Sequence, residues 1–180
     1  MLEVEMKFPV VDPAETKMQL KQLGFHADRT ELEVDRYYNA PDRDFVQTDE
    51  ALRIRQIGEN GYLTYKGPKR GSQGKVRKEH EVELTTGSAA RMHQILLDLR
   101  YIPSIEVRKN RTRYFHTVQK DVTISWDEVE GLGTFIELEL LVPESDKAEA
   151  LTCIQSLAQS LGLEREERRA YLELKLKQSP

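Results

Sequence analysis

Residues 121–142 read Asp-Val-Thr-Ile-Ser-Trp-Asp-Glu-Val-Glu-Gly-Leu-Gly-Thr-Phe-Ile-Glu-Leu-Glu-Leu-Leu-Val. Two runs of alternating apolar and polar residues, 121–129 and 134–142, flank Gly131-Leu132-Gly133, a triplet suited to turning the chain. Period-two alternation is what a strand with one dry and one wet face requires. Ile136, Leu138 and Leu140 fall on one face of the second run, and Glu137 and Glu139 on the other. This stretch is an antiparallel hairpin. The same alternation recurs at 2–9, 33–39, 51–57, 62–66, 76–84 and 105–116, so eight strands are predicted.

Asn60-Gly61 is a residue pair that a tight hairpin prefers. Asp12-Pro13-Ala14-Glu15 supplies an N-cap, a proline at the first helical position and a reciprocal glutamate, and Gly24 closes that helix. Ser88 opens a second helix with Met92, Ile95, Leu96 and Leu99 on one face. Ser145 opens a third, whose stripe is Ala148, Leu151, Ile154, Leu157 and Leu161 before Gly162. Tyr171 to Lys177 alternates leucine with charge and fits a short helix or a strand. The expected fold is α+β, a single domain over residues 1–180. Its eight-stranded antiparallel sheet closes into a barrel, with helices packed outside.

Lys and Arg number 27 against 31 Asp and Glu, a net charge of −4, which argues against a dedicated DNA-binding module. The lone Cys153 excludes an internal disulfide and a multi-cysteine zinc site. No run reaches the apolar length of a membrane span, and Met1 to Glu5 has no signal-peptide profile. A soluble cytoplasmic protein without membrane or DNA partners is therefore expected. No Gly-x-x-x-x-Gly-Lys-Ser/Thr loop is present, so a nucleotide is not held in that way.

The polar faces are segregated by sign. Glu3, Glu5 and Lys7 share a face, as do Arg53 and Arg55. Glu79, Glu81 and Glu83 form an acidic row; Lys109, Arg111 and Arg113 form a basic one. For any single strand a solvated face explains such a row. Together they fit a charged interior, in which acidic rows hold divalent cations and basic rows hold phosphate oxygens.

These residues also resemble a known family. Glu3-x-Glu5-x-Lys7 is similar to the signature of the CYTH superfamily, the triphosphate tunnel metalloenzymes. Asp35-Arg36-Tyr37-Tyr38, Ala51-Leu52-Arg53-Ile54-Arg55, Thr64-Tyr65-Lys66-Gly67-Pro68, Lys78-Glu79-His80-Glu81, Val107-Arg108-Lys109-Asn110-Arg111 and the run Asp127 to Glu139 resemble its further blocks, in order. The resemblance implies an eight-stranded tunnel that binds a triphosphate with Mg²⁺ or Mn²⁺. Ala-Leu-Arg-Ile-Arg and Thr-Tyr-Lys-Gly-Pro look most like the class IV adenylyl cyclase (CyaB-type) branch, which implies conversion of ATP to cyclic AMP and pyrophosphate. Cyclases of that branch carry a His-Phe pair ahead of the pentad. Here the pentad follows Met1-Leu2 directly, so hydrolysis of tripolyphosphate or thiamine triphosphate stays the alternative. A non-catalytic polyanion or polyphosphate binder is the reading from another class. The paired carboxylates weigh against it, since an anion receptor gains nothing from them.

By resemblance, the metal ligands are Glu3, Glu5, Asp127, Glu137 and Glu139, with Glu81 a weaker match. The triphosphate-binding residues are Lys7, Arg53, Arg55, Lys66, Lys109, Arg111 and Arg113, and the catalytic set is Lys109, Arg111 and Glu137. The family also makes a homodimer an expected assembly. His26, His80, His93 and His116 are dispersed and read as surface or satisfied histidines. Cys153 reads as a small packed thiol, and Trp126, Tyr38 and Tyr65 as packing. The basic loop 67–75, with Lys69, Arg70 and Lys75, reads as a solvated loop or as a flap over the site.

Overall fold

Eight strands form where the alternation placed them. The computed structural model describes residues 2–68, 78–118 and 121–178. In chain order the elements are β1 (Leu2–Pro9), α1 (Pro13–Gln22), β2 (Phe25–Asn39), α2 (Phe45–Thr48), β3 (Ala51–Ile57), β4 (Asn60–Lys66), β5 (Glu79–Leu84), α3 (Ala89–Asp98), β6 (Ile102–His116), β7 (Val122–Val129), β8 (Gly133–Val142), α4 (Lys147–Ser160) and α5 (Tyr171–Gln178). The C-terminal tail is thus a helix. β2 begins eight residues earlier than expected; residues 26–30 are exposed and mostly polar, so no apolar alternation marks them. The β3–β4 turn lies at Gly58-Glu59, not at Asn60-Gly61. Ile57 pairs with Asn60, and Gly58 takes the left-handed φ of 57°. Gly61 meets a different demand, since a Cβ there would stand 3.1 Å from that of Ala89.

The strands hydrogen-bond in the order β1-β8-β7-β6-β2-β3-β4-β5. That order is linear, with β1 and β5 at its ends, so the closed barrel expected from the sequence is corrected to an open eight-stranded antiparallel sheet. Both end strands carry protection against edge pairing. β5 is exposed and charged from Glu79 to Glu83, and the Lys7 carbonyl of β1 accepts the Glu167 N–H at 2.7 Å.

The chain divides into two compact units, residues 1–31 with 109–169 and residues 32–108 with 170–180. In the first, Val4, Met6 and Phe8 of β1, Ile124 and Trp126 of β7 and Ile136, Leu138 and Leu140 of β8 pack with Ala150, Ile154, Ala158 and Leu161 of α4. Of the expected α4 stripe, Ile154 and Leu161 lie in this core and Leu151 and Leu157 pack against it; Ala148 is exposed, and Ala150 and Ala158 are the added members. Cys153, one residue before Ile154, turns outward and is exposed, which corrects the packed thiol. Asp12 caps α1 as expected, accepting the Ala14 and Glu15 N–H groups at 3.0 Å. In the second unit, Tyr38, Leu52, Ile54 and Leu84 pack with Leu96 of α3, while Ile95 and Leu99 are exposed. These apolar faces leave the charged ones on the opposite side of each strand.

Candidate functional site

In the first unit β6 presents Lys109, Arg111 and Arg113, and β7 sets Asp127 directly across from Arg111. Asp127 has no exposed surface, and Lys109 is only 3% exposed. Lys109 Nζ donates to Asp127 Oδ2 at 3.2 Å, and Arg111 Nε donates to Oδ1 at 2.6 Å. Arg111 Nη2 donates to both Asp127 Oδ2 and Glu137 Oε2. Asp127, expected among the metal ligands, therefore has both oxygens engaged by cations. Arg113, further along β6 and more exposed, pairs with Glu31 at 3.3 Å.

Lys7 on β1 is 2% exposed, and its ammonium donates to the Arg169 carbonyl at 2.6 Å. Glu167 closes a ring around it. Its N–H donates to the Lys7 carbonyl, and its carboxylate takes the Arg169 N–H and Nε at 2.9 and 2.8 Å. Hydrogen bonds from Arg169 outweigh burial and hold the Glu167 carboxyl down at about 2.

The β1–β8 ladder sets Lys7 opposite Glu137 and Glu5 opposite Glu139. Those two β8 carboxyls are pushed in opposite directions. Burial acts against the charge on Glu137, but Arg111 and then Lys109 outweigh it and hold its carboxyl below the usual range. Burial, followed by the charges of Glu3, Glu5 and Glu137, pushes Glu139 up to about 7. Carboxylate oxygens suit Mg²⁺ or Mn²⁺, and the crowding that raises Glu139 is what a divalent cation relieves. Glu3, Glu5, Glu137 and Glu139 thus fit such an ion in charge and donor type. Among the described residues, however, no three His, Cys, Asp or Glu side chains converge closely enough to hold one.

In the second unit β2 sets Asp35 across from Arg55, and β3 in turn sets Arg53 across from Thr64 of β4. Arg55 grips Asp35 with a two-point fork, Nε to Oδ1 at 2.6 Å and Nη2 to Oδ2 at 2.7 Å. Arg53 reaches Asp35 Oδ2 and Thr64 Oγ1 at the longer distances of 3.3 and 3.4 Å. Thr64 donates to Glu81 at 2.8 Å, and Lys66 pairs with Glu79 at 2.8 Å. Glu33, fully buried, lies 3.5 Å from Arg55 through Oε2. Lys69, Arg70 and Lys75 of the expected flap lie outside the described residues.

A CYTH-domain family model matches residues 1–171. The chain belongs to the CYTH family. It is 38% identical, over 97% of its length and 99% of the relative's, to a Methanocaldococcus jannaschii protein named "Putative adenylate cyclase MJ0240". The PH1819 protein from Pyrococcus horikoshii OT3 shares 40% identity and a TM-score of 0.85, covering 98% of this chain and 99% of its own. A protein from Hippeastrum, called a "putative adenylyl cyclase" with a dominant triphosphatase activity, shares the fold. Its figures are 20% identity, a TM-score of 0.69, and coverage of 97% of this chain and 94% of its own. CYTH proteins are adenylate-cyclase-like or triphosphatases.

The remaining conspicuous residues of this CYTH chain are accounted for by packing. Trp126 is 1% exposed in the first core, with Lys17 Nζ 4.6 Å above its ring. Tyr38 Oη bonds His93 Nδ1 at 2.7 Å, His116 Nδ1 accepts the Val118 N–H, and Tyr65 donates to Glu50. Sequence reasoning gave no role to Glu33, Asp35, Glu167 or Arg169. The period-two rule does put Glu33 and Asp35 on one face, a usable signal. Their meeting with Arg55 depends on the β2–β3 register across residues 40–50, which has no sequence signature. No helix among the described residues is long and apolar enough to cross a membrane.

Proposed function

We propose that this CYTH protein is a divalent-metal-dependent enzyme acting on a triphosphate, and that its reaction is the conversion of ATP to cyclic AMP and pyrophosphate. The observation that carries the metal-dependent part is the acidic face that Glu3, Glu5, Glu137 and Glu139 form on β1 and β8, beside the buried Lys7 and Lys109 and the partly buried Arg111. Burial, with repulsion from Glu3, Glu5 and Glu137 added to it, pushes Glu139 up to about 7. A plain polyanion receptor would not set carboxylates among its cations. The family match supports the triphosphate chemistry, and the 38% identity to a protein named "Putative adenylate cyclase" supports the choice of reaction.

Glu3, Glu5, Glu137 and Glu139 are the residues to hold Mg²⁺ or Mn²⁺. When bound, such an ion supplies charge neutralisation of phosphate oxygens and acidification of a nearby hydroxyl. Lys109, Arg111 and Lys7 bind and orient phosphate oxygens, with Arg113 at the more exposed end of that row. Arg53, Arg55 and Lys66 are the phosphate-binding cations of the second unit. In the cyclase reaction the ribose 3′ oxygen forms a bond to the α-phosphorus and loses its proton to solvent, and the bond to the β,γ-pyrophosphate breaks. Arg111 and Lys109 stabilise the charge that builds on the phosphate oxygens. Held in place by Asp127, they need little reorganisation to do so.

Chromatography of ATP and tripolyphosphate reactions, each with Mg²⁺ or Mn²⁺, tests this. Cyclic AMP and pyrophosphate from ATP are expected. Ready turnover of tripolyphosphate with no cyclic AMP would replace the nucleophile by water, and inertness toward both would remove the enzymatic reading.

A further inference from the structure

We infer that Asp35 and Glu33 are positioning residues that fix the Arg53–Arg55 pair and make it selective for a polyphosphate chain over a single phosphate. The inference rests on the triphosphate reading above.

Start with burial. The Glu33, Asp35, Arg53 and Arg55 side chains are 0%, 3%, 11% and 15% exposed. Two guanidinium groups two residues apart on β3 repel one another, and taking both out of water is unfavourable unless they are paired. Asp35, in register with Arg55, takes two of its five N–H groups in one plane and so fixes the orientation of the whole fork. Glu33 lies on the same face of β2 and adds a second negative charge beside Arg55 Nη1. Over these four side chains, two positive charges face two negative ones.

The grip on the two arginines is unequal. Arg55 is held by short, two-point bonds, whereas Arg53 makes contacts of 3.3 and 3.4 Å to Asp35 and Thr64. Arg55 is therefore the fixed reference, and Arg53 the group that changes partner when phosphate arrives. A lone phosphate must compete with an internal carboxylate already in place. A polyphosphate, anchored elsewhere along its length, presents its oxygens to Arg53 at high effective concentration. The carboxylates thus lower affinity for simple anions while keeping the fork aligned for the longer one.

The test compares Asp35→Asn with wild type by calorimetric titration with inorganic phosphate and with tripolyphosphate at fixed Mn²⁺, alongside steady-state kinetics and melting temperature. The expected loss is about tenfold or more in the preference for tripolyphosphate, since a charge-assisted fork is replaced by a single neutral acceptor. That loss should come from a rise in phosphate affinity, because a negative charge competing with the lone phosphate has been removed. With tripolyphosphate or ATP, kcat should fall by up to about a hundredfold with little change in KM, the signature of misplaced groups rather than lost binding. Glu33→Gln should move the preference in the same direction by less, and it carries the test if Asp35→Asn does not fold. Parallel weakening of both anions, or an unchanged preference, would overturn the positioning role. Equal affinity of the wild-type protein for phosphate and tripolyphosphate would instead overturn the triphosphate reading itself.

Discussion

Raising the pH from about 6 to about 8 should tighten Mn²⁺ binding about tenfold, because a carboxyl titrating near 7 must shed its proton before it can bind metal. The group is Glu139, pushed up to about 7 by burial and by Glu3, Glu5 and Glu137. At about pH 6 roughly one carboxyl in ten is ionised, and at about pH 8 roughly nine in ten. The apparent affinity follows that ionised fraction. Metal-free stability should run the opposite way. The ordinary value is 4.5, so between there and about 7 the folded protein keeps a proton that the unfolded chain has lost. Stability therefore falls as pH rises through that window and levels out above it. Added Mn²⁺ should cancel the fall. Free Mn²⁺ can be counted by electron paramagnetic resonance during titration at three pH values, with thermal melts of the metal-free protein in parallel. Glu139→Gln should flatten both profiles. Affinity independent of pH across this range would show that Glu139 is not a ligand, whatever its proton does.

Four further outcomes are expected. Arg55→Lys should lower kcat/KM by about ten- to a hundredfold, because an ammonium cannot reproduce the fork on Asp35 or on phosphate oxygens; unchanged kinetics would place Arg55 outside the site. Glu137→Gln should raise the Mn²⁺ needed for half-maximal activity by about tenfold or more. Partial recovery at high Mn²⁺ is expected, and wild-type activity at low metal would refute the ligand role. Glu167→Gln should loosen the ring around Lys7, lowering the melting temperature by about 2–4 °C and kcat/KM with it; a lower melting temperature with intact kcat/KM would make the ring structural only. Finally, Mn²⁺ should raise tripolyphosphate affinity by the same factor as tripolyphosphate raises Mn²⁺ affinity, and independent binding of the two would refute a shared site.

What the sequence made legible, it did through side-chain period. Leu2, Val4, Met6 and Phe8 face the core because they alternate with Glu3, Glu5 and Lys7, and the same rule separates Ile136 and Leu138 from Glu137. Edges and pairings were less visible. The first half of β2 is exposed and held in part by polar contacts, such as Thr30 Oγ1 to Thr112 Oγ1 at 2.7 Å, so no apolar period marks it. Sheet closure is a matter of which strands end up adjacent, and alternation is silent on that. For the site, residue type gave the cations and carboxylates but not their partners. Asp127 read as a ligand by resemblance, yet register with Arg111 gives it two cations to hold. Arg169 holds Lys7 through its backbone carbonyl, which no residue-type pattern records.

Each unit uses the same local device: cations two residues apart on one strand, and a buried aspartate in register with the second of them on the neighbouring strand. Arg53 and Arg55 face Asp35, and Lys109 and Arg111 face Asp127. The surrounding charges differ. In the second unit, Glu33 and Asp35 balance the two arginines. In the first, Lys7, Lys109 and Arg111 stand among Asp127, Glu137, Glu139, Glu3 and Glu5, so carboxylates exceed cations. Neither of these clusters, counted over the residues just named, offers a surplus of positive charge to a substrate that carries about four negative charges. Prearranged donors explain how phosphate oxygens are oriented, but not what draws them in. A divalent cation on the β1–β8 carboxylates cancels that local excess and lowers the repulsion that an incoming phosphate meets. On this reading metal is required for binding as well as for the chemical step, and the carboxylate charge beside the buried Glu139 is what makes metal and triphosphate depend on each other.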